Sequence, residues 1–511
     1  MRKRILVLLK QLRVISQAVF LAAVVYTFIR SLDPFSVVQN PFLRFDPLIF
    51  LTNPRSDLFL IASIAGLIAL TLVLGRFFCG WVCPMGTLME LSDFIFSFPR
   101  KANPAAIHAS PKSFLVRFPP ALVVLGAVVV SVFTTTSLLP FFHPNVWIVR
   151  ILSRSVLGLV FLGLVFLSSF FGQRLWCVYI CPLGALYGVL SRVSFLRLGI
   201  ERCSRCGACE RCPMQAADFR TRETLAHQCI LCFQFERSCP VEGFQYGPVA
   251  RAGKSTLRAS RRAHGSFDPS RREFLVRGAG LLGGAMIGGV VASIGVLSKP
   301  GAAKLDRLLF SPGSTVSETT LFRPPGVVDE ASFLRRCIRC LHCVQSCPNG
   351  IIEATGLEAG FASLFAPHLH FDKNGCDYRC QACQLVCPNQ AIPLQTLAQK
   401  QLTPIGLAFI EQKKCVVYRD KKPCSVCQEV CPTPEKALVF AKEERMMRSS
   451  GPFMLRYPSV VTERCIGCGI CQAACPAEQV AITVSRKAQW DSRAGSGRRA
   501  SMRRATRMLI S

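Results

Sequence analysis

The sequence predicts an α-helical membrane protein: a four-helix membrane domain plus a fifth anchor helix, joined to two cysteine-rich α+β domains. Three observations predict it. Half of the 511 residues are hydrophobic and the mean hydropathy is +0.36, too apolar for an ordinary soluble chain. Long apolar segments lie near 13–31, 58–75, 118–139 and 155–171, each close to the about 20 residues that span a bilayer. Of the 27 cysteines, all but four fall into six tight groups, each ending in Cys-Pro.

The membrane domain occupies residues 1–198. The chain opens Met-Arg-Lys-Arg, and the loop 99–117 carries Arg100, Lys101, Lys112 and Arg117 without an acid. The loop 32–57 balances its charges and the loop 140–149 is uncharged apart from His143. Basic loops stay in the cytoplasm, so the amino terminus and 99–117 face it, and the fourth crossing returns the chain there near Arg174. Residues 199–250 then form a cytoplasmic cysteine-rich domain. A basic linker follows, with a fifth apolar run at 278–297, so that 251–300 is a junction. Residues 301–485 carry sixteen cysteines, and the basic tail 486–511 reads as disordered. The net charge of +31 does not make a nucleic-acid protein, because no basic and aromatic constellation of such a module occurs.

Within 301–485 the cysteines stand in four runs. They are Cys337, Cys340, Cys343 and Cys347; Cys376, Cys380, Cys383 and Cys387; Cys415, Cys424, Cys427 and Cys431; and Cys465, Cys468, Cys471 and Cys475. The spacing C-x2-C-x2-C-x3-C-P in "CIRCLHCVQSCP" and "CIGCGICQAACP" is the bacterial ferredoxin run. Three close thiolates wrap one [4Fe–4S] cube and the fourth ligates a neighbouring cube. Structural zinc prefers two separated ligand pairs. Four runs imply four [4Fe–4S] clusters in a ferredoxin-like domain.

The 199–250 domain is less regular. "CSRCGACERCP" supplies Cys203, Cys206, Cys209 and Cys212, and "CILCFQFERSCP" supplies Cys229, Cys232 and Cys239, with Phe235 where a thiolate belongs. With thiolates exchanged as in a two-cluster ferredoxin, Cys203, Cys206, Cys209 and Cys239 hold one cube. The second site keeps Cys212, Cys229 and Cys232, and holds a three-iron cluster, a cube with a non-cysteine ligand, or nothing. One or two further clusters are therefore expected here.

Two membrane segments end alike, "RFFCGWVCPMGTL" and "RLWCVYICPLGAL", an internal repeat R-x2-C-x3-C-P-x-G-x-L. On a helix Cys79 and Cys83 share a face, as do Cys177 and Cys181. These four are either redox or metal residues, or small residues and helix stops in a packed bundle. Arg76, Glu90 and Arg174 are the ionisable groups nearest the membrane and so candidate quinone partners.

Four spans, the doubled C-x3-C-P motif and a following ferredoxin-like segment resemble the NapH and MauN family over residues 1–250. The four runs, with the lead-in "RPPGVVDEASFLRRCIRC" and the twin-arginine pattern "SRREFL" at Arg271 and Arg272, resemble the NapG and MauM ferredoxins over about 270–485. The resemblance implies a fusion of the two. It implies a cluster exchange between the first and last runs: Cys337, Cys340 and Cys343 with Cys475, and Cys465, Cys468 and Cys471 with Cys347. The middle runs would exchange likewise, Cys376, Cys380 and Cys383 with Cys431, and Cys415, Cys424 and Cys427 with Cys387.

The resemblance further implies oxidation of membrane quinol, with electrons passed to a periplasmic cytochrome c or terminal reductase of the nitrate reductase type. The rival readings are outward transfer of cytoplasmic electrons, and a maturation or redox-sensing factor. The twin-arginine signal and the span count place the protein in the bacterial inner membrane, with 301–511 periplasmic and the signal retained as an anchor. No hydrolytic constellation, P-loop or haem-attachment motif stands out, and His342 and His368 read as surface residues.

Overall fold

The computed structural model describes residues 2–31, 41–54, 57–100, 120–132, 137–152, 156–170, 174–200, 212–214, 216–218, 223–233, 244–248, 279–287, 321–356, 360–448 and 451–485. Arg271, Arg272, Phe235, Cys203, Cys206, Cys209 and Cys239 lie outside the described residues, as do the basic linker and the tail. The chain divides into two compact units, one of residues 1–30 with 40–299, the other of residues 31–39 with 300–511.

The first unit is helical. Its long helices are Arg2–Ser31, Leu58–Leu74, Pro84–Arg100, Pro120–Val132 and Val156–Phe170. Asp57 starts the second of these, its carboxylate accepting from the amides of Phe59 and Leu60. Among the described residues one helix, Val7–Arg30, is long and apolar enough by itself to cross a membrane, while 58–74, 121–132 and 158–167 are apolar but shorter. The unit exposes large apolar side chains while burying several charged ones among its apolar core. Leu58, Phe59 and Leu164 are 80%, 70% and 59% exposed, whereas Arg13, Arg76, Asp46, His143 and Arg174 are buried. Water selects against that arrangement, and lipid favours it.

The segments 32–57 and 140–149, expected as plain loops, contain short helices Pro41–Arg44, Pro47–Thr52, Leu139–Phe142 and Pro144–Leu152. They carry apolar residues that find partners inside: Leu43, Leu48, Ile49, Val146 and Val149 are all buried. The amide of Asn145 donates to the carbonyl of Phe42 at 3.3 Å and locks the two segments together. The apolar run after the twin-arginine pattern is helical over 279–287 and packs on Pro120–Val132. A Cβ at Gly284 would lie 2.0 Å from the carbonyl oxygen of Val123, so only glycine lets these backbones meet. Strand Leu196–Ile200 pairs antiparallel with Phe244–Pro248.

The second unit is built of short strands and single-turn helices around the cysteines. Ile352–Ala354 pairs with Pro367–Leu369 between the first two runs, and Leu438–Arg448 pairs with Gly451–Val460 between the last two. Leu407–Ile410 pairs with Ile482–Ser485 and brackets the last two runs. Arg323, nearly inaccessible, is held by Glu330 at 2.6 Å and by the carbonyl of Pro367 at 2.8 Å, which docks helix Glu330–Arg336 beside the first run.

Candidate functional site

Iron–sulfur loops need backbone that curls around the thiolates, and three loops here curl in the same way. In "CIRCLHC" Arg339 and Leu341 have φ of 50° and 66°; in "CIGCGIC" Gly467 and Gly469 have φ of 66° and 80°. Leu231 and Phe233 of "CILCFQF" occupy the same two positions with φ of 53° and 54°. Left-handed backbone at a bulky residue costs about 1–3 kcal/mol, so it persists only where its surroundings demand it. The loop at Cys229 and Cys232 thus has the shape of its complete counterparts despite Phe235, and Cys212 bears electrostatically on Cys229 beside Cys232.

In the second unit the thiols gather in four sets, but not by the exchange the resemblance implied. Cys340, Cys337, Cys387 and Cys383 are the thiols acting on Cys343. Cys376, Cys380 and Cys347 act on Cys383. Cys415, Cys424, Cys427 and Cys475 line one cavity. Cys431 packs with Cys465 and Cys471. Consecutive runs therefore exchange, first with second and third with fourth. Cys475 goes to the third run and not the first, and Cys347 to the second and not the last. The physical reason is loop closure: the hairpin 352–369 folds the second run onto the first at small entropic cost, and the 407–410 strand paired to 482–485 closes the other two.

Burial governs these thiols. It pushes Cys376 up to about 11 and Cys468 up to about 12, so in the metal-free chain they are protonated. At Cys431 burial acts upward too, but the Thr433 hydroxyl and the amides of Thr433, Ala437 and Leu438 outweigh it and hold the thiol below its ordinary value. Amides also donate to sulfur at Cys465 from Ala408, 3.5 Å, and at Cys475 from Ala481, 3.4 Å, the contacts by which a protein tunes cluster potential. His342, expected at the surface, is 2% exposed; burial lowers it to about 4, so it is a neutral packing residue beside the first run.

In the first unit each repeat cysteine pair straddles a helix break instead of sharing one helix face. Helix Phe77–Trp81 ends before Cys83, and Pro84 opens the next helix. Cys177 lies in a π-helical turn, Trp176–Ile180, and Cys181 caps helix Pro182–Leu190, its sulfur accepting from the Gly184 amide at 3.2 Å. All four nevertheless line one cavity, with Arg76 and Arg174. Met214 and Ile230 line it too, and both pack with Cys212, Cys229 and Cys232. A Cβ at Gly80 would sit 2.0 Å from the carbonyl of Ile230, so glycine lets the two thiol groups approach.

The proposed quinone partners Arg76, Glu90 and Arg174 are internally engaged. Glu90 pairs with Arg13 and accepts from Gln17 at 3.0 Å, and Arg174 binds Asp93 at 2.9 Å. Sequence reasoning missed another pair. His143 Nε2 lies 3.0 Å from Asp46 Oδ2, both side chains buried, and Asn145 donates to the same oxygen at 3.3 Å. The neighbouring Pro144 lines the four-cysteine cavity. His143, the one titratable side chain of the otherwise uncharged loop 140–149, was the available signal.

Among the described residues no three His, Cys, Asp or Glu side chains come close enough to ligate one metal ion. A zinc ion draws its thiolates to about 2.3 Å, whereas a cube gives each thiolate its own iron and holds them apart. The family comparisons agree. A 4Fe-4S binding domain matches residues 56–103 and 155–201, a 4Fe-4S dicluster domain matches 336–391, and a second 4Fe-4S binding domain matches 456–477. The dicluster match covers the first two runs together.

These loops and matches define a ferredoxin-type electron-transport protein carrying multiple [4Fe–4S] clusters. The chain belongs to the family of the uncharacterised protein MJ0750 of Methanocaldococcus jannaschii, with 31% identity over 195 residues, 37% of this chain and 78% of that protein. It is also similar to the methylamine utilization ferredoxin-type protein MauN of Paracoccus denitrificans, 28% identical over 28% of this chain and 50% of that one. The ferredoxin-type protein NapH of Escherichia coli is 28% identical over 26% of this chain and 46% of its own. The chain thus spans about half the length of these last two relatives. No solved structure matches.

Proposed function

We propose that the protein oxidises membrane quinol and delivers the electrons singly, through its clusters, to a periplasmic cytochrome c or terminal reductase. One observation carries the reading: a buried Asp46–His143 pair, 3.0 Å apart, in the unit whose surface is apolar and beside the residue that lines the cysteine cavity. Quinol oxidation releases two protons with two electrons, and a carboxylate–imidazole pair next to a redox centre accepts them. The similarity to NapH and MauN supports the same assignment.

In this reading the apolar helices are four spans with the 278–297 run as a fifth, and the twin arginines direct 301–485 outward as a retained anchor. The four cubes are ligated by Cys337, Cys340, Cys343 and Cys387; by Cys376, Cys380, Cys383 and Cys347; by Cys415, Cys424, Cys427 and Cys475; and by Cys465, Cys468, Cys471 and Cys431. Cys212, Cys229 and Cys232 hold a further cluster. When bound, the clusters supply one-electron chemistry; the chain orders them, buries them and donates hydrogen bonds to their sulfurs.

The test is full-length protein in liposomes loaded with a reduced quinol. Bleaching of cluster absorbance on a turnover timescale is expected. Absence of quinol-driven bleaching, with dithionite still bleaching the clusters, overturns the reading, and bleaching by a reduced cytoplasmic ferredoxin instead would establish the outward route.

A further inference from the structure

We propose that Lys400 is the fixed counter-charge of the cluster held by Cys376, Cys380, Cys383 and Cys347, and that it sets that cluster's reduction potential. Lys400 is 3% exposed, and no carboxylate among the described residues pairs with it. Its Nζ donates instead to the backbone carbonyl of Asp377, between Cys376 and Cys380. The Asp377 carboxylate is itself exposed and accepts from the Arg379 amide at 2.7 Å. Lys400 bears electrostatically on Cys376, Cys380 and Cys383, three of the four thiols of the set.

The local structure fixes the ammonium there. Helix Leu397–Leu402, which carries Lys400, opens with a capping box: Thr396 Oγ1 accepts from the Gln399 amide at 3.2 Å, and the Gln399 side chain accepts from the Thr396 amide at 2.8 Å. Just before it, the buried Gln384 and Gln395 exchange hydrogen bonds at 3.0 and 3.2 Å, tying the helix to the turn Ala382–Leu385 that contains Cys383. Gln395 also donates to the Thr403 hydroxyl at 2.9 Å, which holds the far end. A lysine kept for its apolar stem sends its head to water. This one sends it to the thiols, and a buried cation without a carboxylate calls for an anion.

A cube with four thiolates is that anion, and one electron arriving from a neighbouring cluster adds one more negative charge. A fixed cation at its edge lowers the cost of that step and so raises the potential. The other buried cations of the second unit, among the described residues, lie elsewhere: Arg323 is matched by Glu330, and Arg339 bears on Cys337 of the first set. The proposal rests on the ligand set given above for this cluster, and not on quinol as the donor.

The test is a redox titration followed by EPR, on anaerobically purified full-length protein carrying Lys400→Met or Lys400→Arg. Cys380→Ser marks the signal of this cluster, and a Cys380→Ser protein with every signal intact overturns the ligand set itself. Lys400→Met should make that one cluster about tenfold harder to reduce, a fall of about 59 mV, with iron content and the other signals unchanged. Lys400→Arg, which keeps the charge, should titrate as wild type. A Lys400→Met midpoint equal to wild type, or a Lys400→Arg midpoint that falls as far, overturns the proposal. Should Lys400→Met lose the iron of this cluster, Lys400→Gln decides, since it keeps a donor for the Asp377 carbonyl without the charge. A lowered potential or the same iron loss there, with Lys400→Arg intact, supports the counter-charge; an unshifted Lys400→Gln, or iron loss from all three variants, refutes it.

Discussion

The backbone amide of Cys376 donates to the carbonyl of Cys468 across 2.7 Å, joining the first pair of cysteine runs to the last. Cys376 is also among the thiols acting on Cys468. Since exchange already links the two sets within each pair, this bond sets a linear order. The Cys376 set and the Cys465 set thus lie next to each other, with the Cys337 set on one side of them and the Cys415 set on the other.

That junction is tight enough to break by one methyl group. A Cβ at Gly375 would lie 2.4 Å from the amide nitrogen of Ile470 and 2.7 Å from its Cα, backbone that cannot swing aside. Gly375→Ala should cost about 1–3 kcal/mol of stability in the second unit. It should also weaken the magnetic coupling between the two middle clusters, read by EPR of the fully reduced protein, with total iron unchanged.

The exchange scheme makes opposite forecasts from the first-with-last scheme. Cys387→Ala should perturb the EPR signal of the Cys337 set, and Cys475→Ala that of the Cys415 set. If Cys475→Ala instead alters the Cys337 set, consecutive exchange is wrong. Single-variant spectra against wild type decide it.

Asp46→Asn removes the carboxylate facing His143. Quinol-driven reduction of the clusters should fall by about 10²–10⁴-fold, the usual contribution of a positioned base. Reduction by dithionite, which delivers no proton to be accepted, should keep its rate. An equal loss with both reductants would mean that the pair only holds the short helices together.

The metal-free chain should be sensitive to alkali. Burial raises the folded-state values of Cys376 and Cys427 to about 11 and of Cys468 to about 12, above the ordinary thiol value of 9.0. A group raised on folding stabilises fully below its unfolded value and loses that contribution as pH climbs through the folded one. Circular dichroism should therefore show the stripped protein unfolding between about pH 9 and 12. The cluster-loaded protein, whose thiolates have no proton to lose, should resist alkali longer.

The cysteine runs, the doubled C-x3-C-P motif and the apolar segments were legible in the sequence because their signals are local. Spacing alone tells that "CIGCGICQAACP" wraps a cluster, as period and composition tell that Val7–Arg30 is an apolar helix. The destination of each fourth thiolate was not legible. It depends on pairings such as Leu407–Ile410 with Ile482–Ser485, more than 70 residues apart in sequence, which carry Cys475 to the third run. His342 was misplaced at the surface for the same reason, since packing buries it. Asp46 meets His143 across 97 residues, and Cys79 meets Cys177 across 98, only because the helices between them pack. The sequence by itself determined which cysteines stand in ferredoxin spacing and which segments are apolar, through spacing and composition. Tertiary packing alone decided which thiols share a site, because a cluster ligand set is a meeting of distant segments, and nothing in one segment's pattern records where the others arrive.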